Sequence, residues 1–397
     1  MSSKPPTEVE HDQLVLQPRN PIELNQDCLL EILSWLPAKN ICKLQCLNRS
    51  TCNLYSDRLL RKLQTLRART DSGIFVHNSS SLSSFEKFFL HGSSGVPPES
   101  IEFMLKNSRK IVASSNGLIV FQTTKGVNKS SIGDLCVFNP MLQTLAPISS
   151  PPDFSLDDKP RIGVTCTSAS DGLEYNIILV TMKLGEHPHE WRTVLECHRY
   201  SSKNMSWEYL KAIDDSGRRS INLENPVFVS GSIYWASDTG SYMSNTDPYI
   251  LAFDVEKRTS KLMPLPEEAR KVGIDNYMIQ VAPWTNKSLC LIQYIKLRAV
   301  VIWVLESTSS RGSWMKVHEV DLVSLELGDV CQTLGSFTII NGELLVFTAE
   351  DCLYVYRLKD KQLKKLGEHN QGLYPQLRPY ANTFHPCGKF EHKKVIE

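Results

Sequence analysis

Across 397 residues, the side chains that could do chemistry are scattered rather than grouped. His187-Pro188-His189 could offer two imidazoles to one metal, but no third ligand stands nearby, and even an open zinc site takes three from the protein. His189-Glu190 has no second His four positions after the first, so no zinc-protease helix is written. No G-x-x-x-x-G-K-[ST] loop is present to cradle phosphate, and no G-x-S-x-G elbow to present a nucleophilic serine. The 11 cysteines are odd in number and dispersed. Cys42, Cys46 and Cys52 lie close together, yet no C-x-x-C pair occurs and no His stands near them. Most cysteines sit beside apolar residues, as in Leu135-Cys136-Val137 and Leu289-Cys290-Leu291, where a reduced thiol behaves as a small buried hydrophobe. These patterns predict no catalytic residue, no metal, no cofactor, and a reducing setting in the cytoplasm or nucleus.

The elements around those residues follow from composition and periodicity. Hydrophobic residues make up 41% and charged residues 22%, enough for a large core in an ordered chain. Lys plus Arg is 44 against 43 for Asp plus Glu, a balance that argues against broad, sequence-blind nucleic-acid binding. Arg58, Arg61, Lys62, Arg67 and Arg69 cluster without interleaved aromatics and read as a solvated helix face bridging two parts of the chain. The longest apolar run, Ala299 to Leu305, is too short to cross a bilayer. Residues 1–20 are polar, hold no signal-peptide core, and read as a flexible tail. Neither a nucleic-acid nor a membrane partner is expected.

The chain changes character near residue 70. Leu29, Ile32, Leu33 and Leu36 fall at i, i+3, i+4 and i+7, one face of a helix that Asn25 or Asp27 can cap and Pro37 must end. A second short helix carries Ile41, Leu44 and Leu47 on one side, and a third is expected from Thr51 through Leu60. Fewer than fifty residues of helix cannot bury such faces alone, so some must meet the rest of the chain or a partner.

The residues that carry a resemblance are Leu24-Asn25-Gln26-Asp27, Leu30-Glu31-Ile32-Leu33-Ser34-Trp35-Leu36-Pro37, Lys39, Leu44, Cys46, Arg49-Ser50 and Ser56-Asp57. Together they resemble an F-box, with Asn25 where that family commonly has Pro and Thr51 where it commonly has Trp. The resemblance implies docking on a Skp-family adaptor, and through it a cullin ubiquitin ligase. It places the adaptor contact on Leu24, Leu29, Ile32, Leu33, Leu36, Pro37, Ile41 and Leu44.

Beyond residue 70 a turn followed by a short apolar strand keeps returning, first at Gly73. Later instances fall at positions 117, 172, 231, 287 and 342, at intervals of 55–59 residues. Leu135–Asn139, Ile250–Asp254 and Leu353–Arg357 match one another as a further strand, each with a leucine-bearing segment soon after. Cys197–Tyr200 with Trp207, and Val301–Leu305 with Trp314, play the same part in the alternate units. About four short strands per unit make one blade of a β-propeller, and blades bury both faces only by stacking in a ring. The expectation is a mainly β chain: a three-helix module over 21–65, a linker over 66–72, and a propeller of six blades, with seven as the alternative, over 73–397. Closure is expected from a strand near Thr383 to Phe390, since an open ring leaves a raw edge.

This region resembles the kelch-like propellers that follow an F-box in many plant proteins, although each unit keeps one Gly or none where kelch units pair them. Trp207 and Trp314 are expected in the core between blades, and the loops Ser237 to Pro248 and Ser149 to Asp158 are candidates for holding a target protein. The functional expectation is a substrate-recognition subunit of an SCF-type ligase. The alternatives are a propeller scaffold whose helices merely cap it and, more distantly, a propeller hydrolase or oxidase. Ser168-Ala169-Ser170-Asp171-Gly172 brushes a sialidase Asp-box but stands alone.

Overall fold

In a computed structural model, six sheets of antiparallel strands stand around a central axis. It describes residues 25–387 apart from 45, 48–51, 53, 69–72, 79–84, 89, 91–95, 124–134, 150–161, 169–173, 185–192, 215–218, 241–245, 273–276, 286, 307–312, 326–333 and 373. Blade one holds β3 (Ser108–Ser115), β4 (Leu118–Thr123), β5 (Leu135–Asn139) and β6 (Thr144–Ile148). Blade two holds β7 (Ile162–Ser168), β8 (Tyr175–Leu184), β9 (Thr193–Ser201) and β10 (Ser206–Asp214). Blade three holds β11 (Val227–Val229), β12 (Ser232–Ala236), β13 (Tyr249–Asp254) and β14 (Thr259–Pro264). Blade four holds β15 (Tyr277–Thr285), β16 (Ser288–Ile295), β17 (Ala299–Glu306) and β18 (Ser313–Asp321). Blade five holds β19 (Leu334–Ile340), β20 (Leu344–Ala349), β21 (Cys352–Arg357) and β22 (Gln362–Glu368). The first strand of each blade touches the first strand of the next, so these strands line the channel.

Blade six closes the ring from both ends of the chain. The innermost strand is β23 (Gln376–Tyr380), which pairs with β1 (Gly73–His77), and β1 pairs with β2 (Phe85–Phe88). The closing strand therefore lies before Thr383, not at Thr383 to Phe390. The expectation missed it because Pro379 lacks a ladder donor; the innermost strand is an edge, where a proline is tolerated. Blade six shows three strands among the described residues, not four. Helix α4 (Pro98–Asn107) follows β2 and sets Met104 into the seam between blades six and one.

Alternation explains why the strands read as unbroken apolar runs. Successive side chains point to opposite faces of a sheet, and each face of a blade meets a neighbour. Ile119 and Phe121 pack toward blade six, while Leu118 and Val120 pack toward blade two. Ile177 and Leu179 likewise face blade one, and Ile178 and Val180 face blade three. Each of the six seams carries its own apolar cluster. Trp207 and Trp314 each half-cover a seam and donate their indole N–H to the end of the preceding blade, at Ser149 O and Pro264 O.

The first-to-second turns recur as the spacing predicted. Asn116-Gly117, Ser230-Gly231 and Asn341-Gly342 all take positive φ at both residues, the tight hairpin turn that suits twisted strands. A side chain at Gly117 would also sit 2.0 Å from Thr383 Oγ1, so glycine is required there twice over.

Candidate functional site

Antiparallel blades put the first-to-second and third-to-fourth turns on one face, here called lower, and the remaining links on the upper face. Helices α1 (Gln26–Leu33), α2 (Ala38–Leu44) and α3 (Arg58–Arg67) sit under the lower face. Asn25 caps α1 by accepting from Asp27 N at 3.2 Å, and Pro37 separates α1 from α2. The third helix begins at Arg58 rather than Thr51, because the Asp57 carboxylate accepts from Leu60 N at 2.9 Å and fixes the start there. A short 3-10 turn, Leu54–Ser56, precedes it.

The helices divide their apolar residues between two sides. Leu30, Leu33, Ala38, Ile41, Leu54 and Leu60 form one core with Phe384 of the C-terminal segment, and Met141 and Leu142 of the β5–β6 turn pack against it. On the other side Ile32 is 53% exposed, Trp35 68% and Leu47 69%. Of the eight residues expected to meet an adaptor, Ile32 and Pro37 are exposed, and Leu29, Leu36 and Leu44 are half-buried at the edge of this core. Leu33 and Ile41 are buried inside the chain itself, and Leu24 lies outside the described residues. Trp35 and Leu47 were not among the eight. The helical period alone could have added them, since a residue flanking an i, i+3, i+4 face sits on its rim.

Residues 381–387 form a strap between helices and ring. Arg61 Nε donates to Phe384 O at 3.1 Å. Gln64, itself buried, accepts from Phe384 N at 3.2 Å and donates to Asn382 O at 3.3 Å. On the ring side, Asn139 Nδ2 donates to Thr383 O (3.0 Å) and His385 O (2.7 Å), and Tyr175 Oη donates to Cys387 O at 2.7 Å. Arg67 ion-pairs with Glu31 at 2.7 Å, bonds Ser34 Oγ, and lies over the Trp35 ring at 4.6 Å. Part of the basic cluster thus bridges helices and ring through Arg61, and part holds α3 against α1.

The upper face gathers polar groups that the sequence did not single out. Arg219, fully buried, donates to Gly240 O and Thr246 O and lies 3.6 Å from Asp238. It thereby grips both ends of the candidate loop Ser237 to Pro248, whose middle lies outside the described residues. Residues 150–158 of the other candidate loop lie outside them too. At the channel mouth, Lys110, Glu224, Asn225, Gln376 and Arg378 meet. On the ring's flank an open groove of about 450 Å³ crosses the seam of blades three and four, lined by Met263, Pro264, Trp303 and Trp314.

No group of three metal-ligating side chains occurs among the described residues, and His187 and His189 lie outside them. The ring thiols Cys136, Cys197, Cys290 and Cys387 are buried as expected, whereas Cys28, Cys46 and Cys52 of the helical part are exposed. Burial pushes the Cys197 thiol up to about 12 and raises Cys290 too, so neither is a nucleophile near neutral pH.

A family description, the F-box associated beta propeller domain, matches residues 78–384. The chain belongs to this family. The match spans the ring from β2 to β23 and the first part of the strap, and leaves out the three helices and β1. No curated protein matches the chain at a significant level. Among solved structures, an oligogalacturonate lyase from Vibrio parahaemolyticus is 11% identical over 76% of this chain and 81% of its own, with a TM-score of 0.40. An alpha-L-arabinofuranosidase from Fusarium graminearum is 9% identical over 64% of this chain and 79% of its own, at 0.37. The beta-propeller domain of the Trilobed protease from Pyrococcus furiosus is 11% identical over 68% and 78%, at 0.36. Likenesses of this size carry no argument about activity.

Proposed function

We propose that this F-box associated propeller protein is the substrate-recognition subunit of an SCF-type cullin ubiquitin ligase. The observation that carries the reading is the two-sided helical module. One apolar side is used up against Phe384, Met141 and Leu142, and Ile32, Trp35 and Leu47 remain turned outward and more than half exposed, with no apolar cluster of the described residues covering them and only the Arg67 guanidinium lying over the Trp35 ring. A Skp-family adaptor is the occupant that the F-box resemblance implies. It would rest on Ile32, Trp35, Pro37 and Leu47 with Leu29, Leu36 and Leu44 around them, while Leu33 and Ile41 support that surface from beneath; Leu24, outside the described residues, is a contact that only the resemblance supplies. Fully burying each large apolar side chain contributes about 1.5–3 kcal/mol before association costs. The propeller would hold a target protein on its upper face, and transfer chemistry would come from other subunits; proximity is this chain's contribution. A kelch origin for the blades is a finer expectation within the same reading.

The test is capture of a Skp-family adaptor by Ile32→Asp/Leu47→Asp, two changes on exposed positions. Capture is lost while the ring melts as before; unchanged capture would overturn the reading. The shared core with Phe384 favours a second reading, a scaffold whose helices only cap the ring. That reading predicts no capture by the wild-type chain and no effect of the double variant on any partner.

A further inference from the structure

At the upper mouth of the channel, three blades send polar side chains to one spot. Lys110 comes from β3 of blade one, Glu224 and Asn225 from the segment leading into β11 of blade three, and Gln376 and Arg378 from β23 of blade six. Blades three and six stand opposite each other in a ring of six, so these contacts bridge the channel. The Glu224 carboxylate accepts from Lys110 Nζ at 3.2 Å and from Gln376 Nε2 at 2.9 Å. Arg378 donates from Nη1 to Asn225 Oδ1 at 3.0 Å and from Nη2 to the Glu224 backbone O at 2.6 Å.

Two polar atoms are left over. Arg378 is 9% exposed, and among the described residues its Nε finds no acceptor; Gln376 Oε1, on an equally buried side chain, finds no donor among them. Residues two apart on a strand share a face, so a buried, unsatisfied donor and a buried, unsatisfied acceptor stand on one face just beneath the partly exposed Lys110 and Glu224. Among the described residues these contacts set two cations against one carboxylate, and that carboxylate is engaged by Lys110 and Gln376. Buried charge is normally compensated by an opposite charge, and buried polar atoms by a partner. What is missing is one negative charge that also brings an N–H. A halide or sulfate ion supplies only the first. An acidic group on a polypeptide supplies both, its carboxylate for Arg378 and its amide for Gln376.

The geometry points to the upper channel mouth as a receptor for a single carboxylate presented by a partner polypeptide. This deepens the reading of the propeller as the target-binding part and rests on it for the word partner. The carboxylate belongs either to an Asp or Glu side chain or to a chain terminus, and both have the same chemistry.

The experiment uses the full chain and ligand-detected NMR with acetate at fixed ionic strength. Acetate binds the wild type. Lys110→Gln removes the surplus cation and weakens binding roughly tenfold, whereas Glu224→Gln removes the competing carboxylate and strengthens it by a similar factor. Opposite signs are the signature, because polar bracing of the ring alone would move both variants the same way. Both side chains are partly exposed, so the test does not depend on Arg378→Gln, which removes a buried group. Absence of acetate binding, or shifts of one sign, overturns the proposal. Two competitors then separate the sources: acetyl-Ala-Glu-Ala-amide carries a side-chain carboxylate, and acetyl-Ala-Ala-Ala a terminal one. Displacement by one of them names the source; displacement by neither means a free-anion site and overturns the partner-presented carboxylate. Adaptor capture is measured separately, so failure of the ligase reading leaves this result standing on its own.

Discussion

The helical module and the ring are both rich in leucine and isoleucine, yet they treat those residues differently. In the ring each strand has a neighbour on both faces, and apolar side chains such as Ile119 and Leu118 vanish into opposite seams. In the helices only one side has a neighbour among the described residues, and Ile32, Trp35 and Leu47 are more than half exposed. Closed symmetry uses up apolar surface; an appended layer under one end of it has a free side by construction. Exposed apolar groups on a lone outer layer are therefore informative in a way that a single exposed leucine on the ring is not.

The largest effect that could break this contrast is loss of closure. Deleting residues 376–397 removes β23, frees β1 and opens blade six, so cooperative unfolding of the whole ring should disappear in a calorimetric scan. A ring that still melts sharply would show that closure is not what completes the seams. Next comes the pair Ile41→Ala and Ile32→Ala, the same kind of truncation on the two sides of the helical module. The buried site should lose about 2–5 kcal/mol in urea unfolding, and the exposed one should stay within about 0.5 kcal/mol. Equal losses would mean that the two sides are not different after all.

The smallest effect sharpens the comparison inside the ring. Lys87, on β2, lies near the Phe75 and Tyr380 rings at 5.6 and 5.9 Å, and burial lowers its ammonium to about 7. The ring faces favour the charged form, but desolvation prevails. The unfolded chain holds that proton to about pH 10.4, so between about 7 and 10.4 the unfolded state binds more protons and stability rises with pH. Replacing Lys87 with Met should flatten that rise; the stability lead of Lys87→Met at pH 7 should shrink by pH 10. A lead that does not change with pH would place the charge in water.

Much of the ring was legible because its turns use residues that advertise themselves. Gly117, Gly231 and Gly342 mark positions of positive φ in alternate blades, so their spacing gives twice the blade period. The third-to-fourth turns repeat just as faithfully but were hidden. Their left-handed position is taken by Gln143, Met205, Arg258 and Lys361, residue types that carry no turn signal. The closing strand was misplaced because Pro379 argues against a central strand and says nothing against an edge. Helix α4 was missed although Ile101, Met104 and Leu105 have helical spacing, since it interrupts a run of strands. In the helical module the expected face was right in period and incomplete in phase. Leu33 and Ile41 turn inward and Trp35 and Leu47 outward, a choice made by the strap and by Met141, hundreds and about a hundred residues away. The channel mouth was illegible for the same reason: Lys110, Glu224 and Arg378 are brought together by ring geometry alone.

The strap has a consequence for how the protein is made. The three helices and β1 leave the ribosome early, and the segment that completes them, β23 followed by the strap, leaves about 300 residues later. At roughly 5–20 residues per second that delay is on the order of 15–60 s. Throughout it, β1 lacks its inner neighbour and the apolar core of the helices lacks its lid. Synthesis therefore passes through a long interval in which a chaperone has a defined surface to shield, and that interval ends in one event when residues 376–387 arrive.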